Sequence, residues 1–182
     1  MPSADDTHHH RLDAWLDRPQ VRTLHRRSAR AGPDALWTAA SRVRLRDTRT
    51  LGRLVRWRIP GLDSGLTYHD LFRTYPFTVL EEGDDHLLSG LCGRIWTLAR
   101  DYPRLDGAEE FAAWDEPGTV RVLFAHWVRP AGAEAELVTE ARVQPTDRLA
   151  SLRLRALWSV IGPFERLAAE PLTLAAQRAG YR

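Results

Sequence analysis

The chain has 182 residues, 43% of them hydrophobic, and a net charge of +2, which suits one well-filled core and is too little for two ordinary domains. All 26 basic residues are arginine, so Schiff-base lysine chemistry, a pyridoxal-phosphate anchor and a P-loop lysine are excluded. Cys92 is the only cysteine, which excludes an internal disulfide, a cysteine zinc site and a CxxC redox pair.

The opening "MPSADDTHHHRLDAW" has no apolar signal core, and no apolar run approaches the roughly 20 residues of a membrane span. A cytoplasmic protein is expected. His8 to His10 sit in a polar terminus without fixed geometry, so no metal site is assigned there. Residues 1–17 read as a flexible or short helical N-terminus, with "RLDAWLDRP" a helical turn stopped by Pro19, and 18–182 as one domain.

"QVRTLHRRSAR" alternates and predicts a first strand. "GPDALWTAASRV" predicts a helix to about Ser41, with Pro33 at a first helical position and Asp34 behind it. Leu51, Leu54 and Val55 mark a second helical piece ended by Pro60, and "TYHDLFRTYP" a short turn. "FTVLEEGDDHLLSGLCGRIW" predicts a hairpin around Gly83 to Asp85, bent or bulged at Gly90 and Gly93. "DGAEEFAAWDEPG" predicts a helical turn, and "TVRVLFAHWVRPAGAEAELVTEARV" a second hairpin turning near "RPAGA". Thr146 and Asp147 cap a last helix whose Leu149, Leu152, Ala156, Val160, Phe164 and Leu167 recur every three or four residues, with Pro163 and Pro171 to kink or divide it.

This order, strand, short helices, curled antiparallel strands and a long C-terminal helix, resembles the helix-grip fold of the START and polyketide-cyclase (SRPBCC) superfamily, which includes the birch-pollen allergens. The stretches "LDAWLDRPQVRTLHRRSARAGPDALWTAASRVRLRD", "LLSGLCGRIW", "FAAWDEPGTVRVLF", "LVTEARVQPTD" and "LWSVIGPFERL" carry the likeness, closest to an uncharacterised bacterial group. The resemblance implies an α+β fold, a curved sheet around a C-terminal helix, and an internal cavity for an apolar ligand. It brings no catalytic motif.

Seven residues, Trp37, Trp57, Phe72, Trp96, Phe124, Trp158 and Phe164, are expected to line that cavity, with Tyr68 and His69 near its mouth and Arg94 to hold a ligand carboxylate or enolate. Taken singly, each aromatic is better explained as plain core, and it is the cluster that suggests a cavity wall. His126 stands out: it joins Val120, Val122, Phe124 and Val128 on one face of a strand, at a position that is usually aromatic in the resembled group. It is either a neutral, hydrogen-bonded core residue or a proton shuttle, with Glu140 as conceivable partner, although alternation puts Glu140 with Val138 and Arg142.

Three functions follow: binding of a polyketide-like or aromatic metabolite, a cyclase or dehydratase acting in the same pocket, or a protein-interaction module. The last would use the stretch Arg18 to Arg58, where twelve arginines face two aspartates, against an anionic partner such as an acidic carrier protein, a nucleic acid or a lipid surface. Nucleic acid is disfavoured by the lack of interleaved aromatic motifs. No cofactor or metal is implied.

Overall fold

The computed structural model describes residues 11–58, 61, 63, 65–97 and 102–180, without the side chains of 58 and 163–165. Residues 11–15 form α1. Five strands follow, β1 (Val21–Ala29), β2 (Thr78–Glu82), β3 (His86–Gly93), β4 (Val120–Ala131) and β5 (Glu134–Pro145), paired antiparallel in the order β1-β5-β4-β3-β2. Between β1 and β2 lie α2 (Pro33–Ser41), α3 (Leu51–Arg58) and α4 (Tyr68–Leu71), while α5 (Ala108–Ala113) precedes β4. The chain ends in α6 (Arg148–Ile161), a 3-10 segment (Gly162–Ala168) and α7 (Ala169–Gly180). This is an α+β protein, a five-stranded antiparallel sheet with the C-terminal helices against it.

Local chemistry sets the boundaries. Pro33 opens α2. Thr67 caps α4 by accepting from the Asp70 amide at 3.1 Å. Gly132, at φ +67°, turns the long β4–β5 hairpin. Asp147 accepts from the Ala150 amide at 2.7 Å and starts α6. A proline-bearing 3-10 segment from Gly162 divides the last helix in two, as the prolines predict.

Both faces of the sheet are covered. On one, Val122 packs with Leu154 of α6, and Val128 with Leu36, Ala40 and Leu172 of α2 and α7. On the other, Leu123, Ala125 and Trp127 pack with Leu12 and Leu16 of the N-terminal segment, with Phe111 of α5, and with Cys92. The core therefore already includes residue 12, within the stretch set apart at 1–17. Burying each of these leucines contributes roughly 2 kcal/mol before ordering costs.

Two expectations need correcting. Gly90 makes no bulge; a Cβ there would lie 2.5 Å from the Phe111 ring, so this glycine admits α5, while the register shift falls in β2 between Val79 and Glu81. The predicted stripe on the last helix also points the wrong way. Leu149, Leu152 and Val160 are 52%, 61% and 68% exposed, whereas Ala150 and Leu154 are buried. Two apolar stripes share this helix, and the longer one faces outward.

On the α1 side, Glu140 is enclosed between two arginines. Arg22 donates to both its oxygens, at 2.7 and 3.1 Å, and Arg142 donates to Oε1 at 2.6 Å. Arg142 also reaches Asp13 at 2.5 Å and the Leu16 carbonyl at 2.9 Å. This ties β1, β5 and the N-terminal segment together. Removing one member of a buried ion pair strands the other's charge, so Glu140→Gln should lower unfolding free energy by about 3 kcal/mol, read as an earlier urea midpoint.

Candidate functional site

His126 lies on β4 opposite Thr139 of β5 in the hairpin register. Its Nδ1 shares a 2.9 Å hydrogen bond with Thr139 Oγ1. Only 1% of the residue is exposed, and Nε2 has no hydrogen-bond partner among the described residues. Around it stand Phe72, with ring centres 4.5 Å apart, Tyr68 at 5.3 Å and His69 at 5.7 Å. His69 in turn stacks on Trp37 at 4.5 Å, and its Nδ1 lies 3.2 Å from Ser41 Oγ. Because Ser41 gives its own proton to the Trp37 carbonyl at 3.0 Å, His69 Nδ1 is the donor and Nε2 carries the lone pair.

Burial first, then the nearby Arg73, lowers the His69 pKa to about 4, while Asp70 and Glu82 partly oppose this. Burial likewise holds His126 well below the ordinary value, with His69 and Arg73 adding to it. Both rings are therefore neutral at physiological pH. The Tyr68 hydroxyl is pushed upward by burial and stays protonated.

The space beside this cluster is small. A void of about 10 Å³ lies among Ala40, Tyr68, His69, Leu137, Thr139 and Leu172, which is room for about one water. A void of that size has no room for substrate atoms. Glu140 cannot assist it either: the carboxylate is on the opposite face of the sheet, held by Arg22 and Arg142.

A larger space opens where β3 ends and α6 begins. This groove, about 660 Å³, is lined by Arg94, Trp96, Thr97, Asp147, Leu149 and Arg153, with the Pro117–Gly118 turn as its further wall. Asp147 joins the walls by accepting from the amides of Ala150 and Gly118, both at 2.7 Å, and these amides lower its pKa. The Arg153 guanidinium lies 5.8 Å from the Trp96 ring centre. Arg94 reaches Glu116 at 3.6 Å.

The sequence-derived residues thus divide into groups. Trp37, Tyr68, Phe72, Phe124 and His126 belong to the interior cluster. Trp96 and Trp158 border the neighbouring core around Leu154, and Arg94 with Trp96 lines the groove. Trp57 is 66% exposed on α3 and lines neither. The Phe164 side chain lies outside the described residues. Sequence reasoning missed Thr139, Ser41 and Arg153. Thr139 was within reach, since a turn centred on Gly132 sets it opposite His126.

No family model matches the chain, and no curated protein does. Among solved structures, a protein from Thermus thermophilus is similar at 12% identity, over 87% of this chain and 97% of that one, with a TM-score of 0.34. The Zhui aromatase/cyclase from a Streptomyces species follows at 14% identity, 87% and 93% coverage and a TM-score of 0.32. Norcoclaurine synthase from Thalictrum flavum gives 10%, 88% and 84%, and 0.31. Likeness of this degree assigns no function, which has to come from the chain's own geometry.

Two outcomes test the interior cluster. A histidine with a depressed folded pKa binds protons more readily once unfolded, so its stabilisation is present above the unfolded value and is lost as pH falls. Between about pH 6.5 and about pH 4, His69 should lose on the order of 3 kcal/mol of stability, with His126 adding in the same direction; urea titrations across that range would show it, and His69→Gln should flatten the slope. Replacing His126 by Phe should cost no more than ~1 kcal/mol, the scale of its one hydrogen bond, in the same assay.

Proposed function

We propose that the protein binds a hydrophobic, planar small molecule with an anionic substituent, in the groove between the end of β3 and the start of α6. The observation that carries this reading is Arg153 over Trp96, with Arg94 lining the same groove of about 660 Å³, a volume within the usual range of small-molecule sites. Trp96 offers a flat apolar surface. Arg94 and Arg153 supply planar donors for a carboxylate or enolate. Leu149 adds an aliphatic wall, half-exposed as a ligand contact would require.

An acyl chain or second ring has a direction in which to continue. Trp96 and Trp158 both border the core around Leu154 and Phe124, so the apolar floor runs from the groove under α6. Entry further inward requires α6 to move, and only Ala150 and Leu154 of that helix are buried. Cyclisation or dehydration at His126 is not part of this reading, because the adjacent void is water-sized.

Titration with 2-naphthoate, and with naphthalene as the uncharged control, tests the proposal through tryptophan fluorescence. Naphthoate should bind more tightly and quench. Replacing Trp96 and Trp158 together by phenylalanine should remove most of the quenching, and Arg153→Ala should weaken naphthoate roughly tenfold with little effect on naphthalene. Quenching unchanged in both variants would place the ligand elsewhere.

A further inference from the structure

The outward face of α6 plays no part in the core. Leu149, Leu152, Ala156 and Val160 recur at helical spacing over roughly 16 Å, and all four are exposed. Arg148, Arg153 and Arg155 flank them, and no acidic residue occurs between 148 and 161. The same composition recurs on α3, where Leu54 and Trp57 are exposed beside Arg53 and Arg56, again with no acidic residue in the helix.

The start of α3 is tied to the start of α7. Glu170, at the start of α7, accepts from the amides of Arg49, Thr50 and Leu51, the last two at 3.2 and 3.1 Å. The start of α3 is thereby held beside the segment that continues α6.

From the face of α6 we infer that this helix docks the protein onto an anionic lipid surface, an interaction that goes beyond small-molecule binding in the groove. An aliphatic stripe edged by arginines has the chemistry of a helix lying in the headgroup plane. Such a helix rests on the bilayer without crossing it, and no described helix is long and apolar enough to cross. A second copy of the chain fits less well, since it would set arginines against arginines with no carboxylate on either helix.

Co-sedimentation of the full chain with vesicles tests this, using phosphatidylcholine alone and phosphatidylcholine mixed with an equal part of phosphatidylglycerol. Binding is expected to the anionic vesicles only, and to weaken with salt. The pair Leu152→Gln and Val160→Gln should lower partitioning roughly tenfold or more, and the pair Arg148→Gln and Arg155→Gln roughly thirtyfold. All four positions are exposed, and an unchanged circular dichroism spectrum and urea midpoint would establish that the variants fold. Failure to bind the anionic vesicles overturns the proposal, as does binding by both pairs of variants equal to that of the parent chain. A dimer that Leu152→Gln disrupts, without vesicle binding, would assign the face to a second copy. Binding to polyglutamate without vesicle binding would assign it to an acidic protein.

Discussion

Glu140 fixes the orientation of the sheet. A carboxylate enclosed on the α1 side must keep Arg22 and Arg142 within reach, because its desolvation is offset only when every partner is in place. The period of two then leaves no choice for its neighbours: with Glu140 and Arg142 on that side, Leu137, Thr139 and Ala141 face the helices. Thr139 consequently meets His126 across the hairpin. A one-residue slip of β5 would turn Glu140 and Arg142 against the helices on the other side, so the ion cluster and the His126–Thr139 pair are two consequences of one register.

The two covered faces are filled to different degrees. Under α2, α4 and α7, aromatic rings and two neutral histidines leave water-sized space. Under α6 the filling is thinner, since only Ala150 and Leu154 are buried, and the groove begins where that helix starts. A rigid half and a lightly attached helix thus share one sheet. Ligand entry and surface docking both concern the lightly attached part, where moving a helix disturbs few core contacts.

Much of the architecture was legible in the sequence. Alternation located β4 with the correct faces, turn residues located both hairpins, and capping residues located α2 and α6. The errors have physical causes. On α6 two apolar stripes of similar strength compete, and periodicity cannot say which meets the sheet. At Gly90, missing side-chain volume has the same signature in sequence whether it permits a bend or admits the Phe111 ring. The site was partly legible: alternation singled out His126 and grouped Glu140 with Val138 and Arg142, but it left open which face of that strand points inward. What remained hidden were pairings between distant segments, such as Arg153 over Trp96 or His69 beside Ser41, which depend on how helices settle after the sheet has formed.

Cys92 lies beneath the N-terminal segment, in the layer that contains Leu12 and Leu16. Burial pushes its thiol up to about 12, against the opposing pull of Arg121, so almost no thiolate exists at neutral pH and little of it is accessible. The chain therefore contains a chemical clock for that face. A thiol-specific reagent in excess reacts only as fast as the α1 layer comes away from the sheet, and because no second cysteine competes, the rate of modification measures how often this side of the protein opens.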